Sequence, residues 1–185
     1  MATFSTVTDA SSRIGVYPGS FNPPTIAHIE IAQTAREHHH LERVDLAVSQ
    51  VPLGKGAVVR PSFEERLAVI NASVAPIEGL SVIVTEQQLV ADIATGYDVV
   101  VMGADKWAQV NDLAWYRNEA ERDRAVAALP TLALAPRAGF VVPDEHTLPI
   151  DPFLLDVSSS AVRAGRTEWM TEPARLHHDR HGTWG

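Results

Sequence analysis

The chain has 185 residues, 45% hydrophobic and 21% charged, a balance that suits one globular domain and argues against a disordered chain. With 15 basic against 23 acidic side chains its formal charge is −8, which disfavours a protein that grips nucleic-acid backbones. It has no cysteine, so disulfides, thiol catalysis and cysteine-held metals are excluded, and no apolar run nears the ~20 residues of a membrane span. Residues 1–12 lack the order of a signal peptide and are expected to be a flexible segment ahead of a single domain over 13–165. The polar stretch 166–185 has no clear amphipathic period and reads as a loosely ordered tail. A soluble cytoplasmic protein without nucleic-acid or membrane partners is the expectation, and assembly into a homo-oligomer is left open.

Short apolar runs alternate with helical patterns along the chain. Arg13–Tyr17 reads as a first strand ending at Pro18-Gly19, and Ile29, Ala32 and Ala35 share one side of a helix running to about His39. Val44–Ser49 is a second strand. Ser62 and Glu65 form a capping box, after which Phe63, Leu67, Ile70 and Val74 recur at helical spacing. Leu80–Val84 is a third strand, and Thr85 is expected to cap a short helix carrying Leu89, Val90 and Ile93. Tyr97–Met102 is a fourth strand, fully buried by its continuous apolar run. A Trp-rich, partly helical segment spans 104–124, and Thr131–Ala135 is a fifth strand. Strand–helix alternation of this kind predicts an α/β, Rossmann-like, doubly wound parallel sheet of about five strands with helices on both faces. Ligands of such folds bind beyond the carboxyl ends of the strands.

Two segments at such ends carry chemistry. In the string from Tyr17 to His28 (YPGSFNPPTIAH), Gly19 permits a tight turn, so that amides from Gly19, Ser20 and Phe21 can face an anion. Thr25 and His28 share one face at the start of a helix, where the dipole is positive. The second string is Val157-Ser-Ser-Ser-Ala-Val-Arg163, in which three hydroxyls precede a fork-shaped cation suited to a polyphosphate. His38, His39 and His40 suit the negative end of the first helix. His177, His178 and His181 lack the carboxylate pattern of a zinc site, so no metal ligands are assigned.

The first string resembles the nucleotidylyltransferase signature G-x-F-x-P-x-x-[HT]-x-G-H, and VSSSAVR resembles the I-S-S-[ST]-x-x-R signature of the same superfamily. The resemblance implies an enzyme that joins the nucleotide of ATP, accompanied by Mg2+, to a phosphorylated small molecule and releases pyrophosphate. It implies catalytic roles for Thr25, His28 and Lys55, and contacts to the phosphates of ATP from Gly19, Ser20, Phe21, Thr25, His28, Ser158, Ser159, Ser160 and Arg163. Ala27 stands where that superfamily has glycine, so its methyl is expected to crowd the nucleotide. Gly103-Ala-Asp105, Trp115-Tyr-Arg117 and Ala135-Pro-Arg137 are similar to segments of nicotinate (or nicotinamide) mononucleotide adenylyltransferases. That similarity places Gly103 and Asp105 at the nucleotide and Lys55, Trp115 and Arg137 at the acceptor, with Trp115 stacking on a pyridine ring and Trp107 as the alternative. YPGSF, Thr25 and the segment 61–67 (PSFEERL) are similar to pantetheine-phosphate adenylyltransferases, so that acceptor stays open, as does a non-catalytic nucleotide-binding module. Arg66 of that segment is expected to pair with carboxylates of its own helix.

Overall fold

The computed structural model of the chain describes residues 12–50 and 61–184; Lys55 lies outside the described residues. Five strands form one sheet: β1 (Ile14–Pro18), β2 (Arg43–Ser49), β3 (Leu80–Thr85), β4 (Val99–Gly103) and β5 (Thr131–Ala135). All pair in parallel, in the order β3-β2-β1-β4-β5. The expected doubly wound α/β architecture is therefore observed. The order runs outward from β1 in one direction and then resumes on its other side at β4. The crevice beyond the carboxyl ends of β1 and β4 is the switch point of the sheet.

Alternation along the strands splits the core between two faces. Tyr17, Leu46, Val48, Val99 and Val101 point to the face covered by α1 (Ile26–His38) and α2 (Phe63–Val74), against Ala32, Ala35, Ile70 and Val74. Val16, Ala47, Val100, Met102 and Leu134 point to the other, against Val90 and Ile93 of α3 (Val90–Ile93) and Val110 of α4 (Ala104–Asn111). In β4 the four residues Val99–Met102 are all wholly buried, as a strand covered on both faces must be. The Ser62–Glu65 capping box forms in both directions and starts α2.

Two expectations are corrected. Thr85 ends β3, and its hydroxyl accepts from Gln87 N at 3.1 Å; α3 instead begins after Leu89 with no side-chain cap. The segment after Gly165 is not loosely ordered. It forms a 3-10 turn (Thr167–Trp169) and a helix, α7 (Glu172–His181), ended by Gly182 in the left-handed conformation. Its apolar residues are few and most are turned inward: Trp169, Met170, Ala174 and Trp184 pack with Ala27, Val69, Val157 and Val162 in a third cluster, while Leu176 stays exposed. A buried bond of 2.7 Å between the Ser73 and Thr171 hydroxyls ties α7 to α2.

One polar group is sunk in the sheet. Asp45, in the middle of β2, is 3% exposed and is met by Arg43 at 2.6 Å, by the Tyr97 hydroxyl at 3.0 Å and by the Ser81 hydroxyl. Burial works to raise its pKa, but the bonds from Arg43, Ser81 and Tyr97 outweigh it and hold the carboxyl below its ordinary value. A carboxylate lowered on folding stabilises the fold fully above about pH 4, and that contribution fades as pH falls through the folded value. Asp45→Asn should therefore cost about 1–2 kcal/mol at pH 7, limited by the exposure of Arg43. In urea titrations the gap from wild type should narrow below pH 4. A gap that is absent or independent of pH contradicts this account.

Candidate active site

The switch-point crevice opens into a pocket that gathers both sequence motifs. Gly19, Ser20, Phe21 and His28 line it from the β1–α1 side, and Ser158, Ser159, Ser160 and Arg163 from the start of α6 (Ser159–Arg163). Gly103 ends β4 and Asp105 follows it, Arg137 follows β5, and Trp115 with Tyr116 completes the wall. Residues some 140 positions apart thus share one cavity.

His28 is the third residue of α1 and forms a reciprocal cap with Thr25. The Thr25 amide donates to His28 Nδ1 at 3.0 Å, and Thr25 Oγ1 lies 2.9 Å from the same nitrogen. An amide N–H only donates, so Nδ1 carries its lone pair and the ring proton sits on Nε2. Burial is the main reason the pKa of His28 falls from 6.5 to about 4; Asp105 opposes the shift and Arg137 adds to it. The imidazole is therefore a neutral N–H donor, held by its far edge. Thr25 itself is wholly buried and is not among the pocket-lining residues. It positions His28, where the sequence suggested a direct phosphate contact.

The loop between β1 and α1 is tightly folded. Phe21 has φ 42°, a left-handed conformation unusual for an aromatic residue. Its ring sits edge-on to Tyr17 (5.3 Å) and His28 (5.0 Å) and lies so close over Gly19 that a Cβ there would come within 2.6 Å of it. Glycine is required at position 19 by that ring. Gly19 N–H donates to Ala47 O at 3.0 Å, so this amide extends the β1–β2 ladder and is not an anion donor as expected.

The serine motif binds the first motif before it binds any ligand. Ser158 Oγ caps α6 through Ala161 N (3.1 Å), and Ser159 Oγ donates to Pro23 O (2.7 Å). Arg163 donates to Asn22 O and, at 3.2 Å, to Ser160 Oγ. A guanidinium has five N–H donors, so capacity for a phosphate remains.

Across the pocket, Arg137 Nη1 meets Asp105 Oδ2 at 3.3 Å. Trp115 ends a 3-10 turn (Leu113–Trp115) capped by the Asp112 carboxylate, and the Tyr116 hydroxyl donates to Val110 O at 2.9 Å. Trp107, the alternative ring, packs against the core below α4 and is not part of the lining. The Ala27 methyl lines the pocket but also belongs to the third cluster beside Val157 and Val162. Arg66 is 3% exposed, sits 5.5 Å from the Phe63 ring and makes no ion pair with a carboxylate of its helix. Burial lowers its pKa, and its Nε has no partner among the described residues. Sequence reasoning missed Lys106 and Gln109, joined at 2.7 Å on the lining face of α4; their position just past the carboxyl end of β4 was the available signal. Among the described residues no three potential ligands gather to hold a metal.

His28 provides a direct test. Ring-nitrogen NMR should find a proton on Nε2, a bare Nδ1 and titration near pH 4. Because the folded value lies below the unfolded one, this group should also make the protein less stable as pH falls from about 6.5 towards 4. A titration near 6.5, or a proton on Nδ1, contradicts the arrangement.

The sequence model of the family described as cytidylyltransferase-like matches residues 16–165. A probable nicotinate-nucleotide adenylyltransferase of Bordetella avium is 31% identical over 170 residues, covering 82% of this chain and 84% of that protein. A phosphopantetheine adenylyltransferase of Desulfosudis oleivorans is 37% identical over 70 residues, 38% of this chain and 39% of that one. In fold, the chain is similar to the nicotinic acid mononucleotide adenylyltransferase of Plasmodium falciparum complexed with NaAD. That likeness has a TM-score of 0.66 at 12% identity and covers 94% of this chain and 97% of the other. No described helix is long and apolar enough to cross a membrane. Taken with the converging motifs, the match over residues 16–165 means that the chain belongs to the cytidylyltransferase-like family of nucleotidylyltransferases.

Proposed function

We propose that the chain is an adenylyltransferase that joins AMP from ATP to nicotinate (or nicotinamide) mononucleotide, forming a dinucleotide and releasing pyrophosphate. The observation that carries this reading is that one pocket is lined by His28, Ser160 and Arg163 together with Asp105, Arg137 and the Trp115–Tyr116 pair. Phosphate-binding groups with an aromatic pair suit a nucleoside triphosphate meeting a second, ring-bearing phosphomonoester.

The reaction needs no nucleophile from the protein. An oxygen of the acceptor's phosphate attacks the α-phosphorus of ATP, a P–O bond forms, and the bond to the bridging oxygen breaks as pyrophosphate leaves with its electron pair. Catalysis then consists of positioning and charge stabilisation. Neutral His28 donates Nε2–H to an α-phosphate oxygen, and Thr25 holds the ring for that purpose. Ser159, Ser160 and Arg163 hold the departing phosphates, and Lys55 is the further cation proposed on them. Asp105 accepts from a ribose hydroxyl once Arg137 turns from it to the acceptor's phosphate. Among the described residues Asp105 is the sole carboxylate in the pocket lining, so the donor set does not form a magnesium cage, and Mg2+ would come in bound to ATP. A pantetheine-phosphate acceptor is the second reading, supported by the Desulfosudis relative.

His28→Ala should lower turnover by about 10²–10³, the usual cost of losing one oxyanion donor, and lower the melting temperature by only a few degrees, the cost of leaving the buried Thr25 amide without its acceptor. Activity within threefold of wild type removes His28 from the mechanism. Since His28 is neutral well below pH 6, kcat/KM of the wild type should show no protonation near 6.5 that His28→Gln abolishes.

Trp115→Ala should raise the acceptor's KM about tenfold or more and leave ATP binding nearly unchanged, because stacking on a base is worth ~1–3 kcal/mol. A pyrophosphate-release assay with ATP and a panel of phosphorylated acceptors makes the comparison. No turnover of nicotinate mononucleotide by wild type overturns the pyridine reading, and turnover of phosphopantetheine would put the second in its place.

A further inference from the structure

The left-handed Phe21 needs support, since a conformation of that kind persists only where its surroundings over-determine it. From β1 the support is the ring packing on Gly19 and Tyr17. On the other side it comes from the C-terminal part of the chain. Pro24 O accepts from Thr171 N at 3.2 Å, Pro23 O from Ser159 Oγ, and Asn22 O from Arg163. The remaining attachment involves a residue outside the pocket. Trp184 Nε1–H donates to the side-chain oxygen of Asn22 at 2.6 Å, across 162 positions of sequence.

Trp184 is well built into that place. Gly182 turns the chain back at the end of α7, and Trp184 N–H donates to His178 Nδ1 at 3.1 Å. The indole is 1% exposed and lies 5.4 Å from the His177 ring. A buried indole N–H without a partner costs free energy, and here its partner is the side chain next to Phe21. Neither Asn22 nor Trp184 lines the pocket, whereas Ser20 and Phe21 do, and the Phe21 ring abuts His28.

We propose that Trp184 is a positioning residue for the nucleotide loop: its bond to Asn22 holds Phe21 in place and, through the Phe21 ring, sets the orientation of His28. The segment after Gly165 thereby becomes a working part of the site and not only a cover for α2. The consequence for ATP rests on the adenylyltransferase reading, whereas the consequence for the loop does not.

The test uses Trp184→Phe, which keeps an aromatic ring and removes the donor, and Asn22→Ala, which keeps Trp184 and removes the acceptor. In the ligand-free proteins, amide exchange at Gly19 and Thr25, whose bonds to Ala47 O and His28 Nδ1 flank the loop, should accelerate about tenfold, the usual value of one hydrogen bond. The His28 titration should move towards 6.5, and the double variant should differ little from either single one. Exchange in β4 should stay unchanged, a selectivity that general destabilisation does not produce. ATP affinity by calorimetry should fall by a similar factor. If Gly19, Thr25 and His28 behave as in wild type in Asn22→Ala, or if exchange rises uniformly through the sheet in both variants, the proposal is overturned. A wild type that binds no ATP overturns the adenylyltransferase reading alone, because the exchange and titration measurements still decide on Trp184.

Discussion

The Thr25 amide donates to His28 Nδ1, and because an amide N–H cannot accept, that bond leaves the imidazole with one proton, aimed away from the cap. The helix start supplies the geometry: a capping threonine and a residue three positions on are already neighbours. Burial then keeps the ring neutral. A neutral donor is available for hydrogen bonding without the desolvation cost that a charged one carries. The positive character of the pocket comes instead from Arg163, Arg137 and Lys106, together with the positive end of the α1 dipole.

That donor is useful only because the topology delivers the other groups to it. The sheet order changes direction between β1 and β4, which opens a crevice at their carboxyl ends. The loop after β1, the start of α4 with Asp105, and the α6 segment all contribute to its lining. Hydrogen bonds from Ser159 and Arg163 to Pro23 and Asn22 carbonyls join the two motifs to each other. The two motifs are thus held together by the protein's own bonds.

The third apolar cluster explains how the C-terminal segment takes part. Trp169, Met170 and Trp184 contribute large surfaces from a stretch whose other residues are almost all polar. Burying an aromatic side chain is worth roughly 1.5–3 kcal/mol, so a few such anchors suffice to order a short helix. Arg166 stacked 4.0 Å over Trp169 shields one of them from water.

The amino-acid sequence by itself determined the strand–helix alternation, because continuous apolar runs such as Val99–Met102 and the repeat of Phe63, Leu67, Ile70 and Val74 each suit one backbone period. It also marked the two motifs, because glycine, proline and serine at those spacings are dictated by local backbone needs. It misread Thr85, where a hydroxyl bonded within its own turn is indistinguishable in a string from a helix cap. It misread the segment after Gly165, because a helix held by three or four widely spaced anchors has no period to detect. Tertiary structure alone decided that Thr25 faces His28 and not the pocket, that Trp115 and not Trp107 forms the wall, and that the Gly19 amide is spent on Ala47. Each of these depends on what another part of the chain presents at that point in space, and such long-range pairing leaves no trace in local spacing.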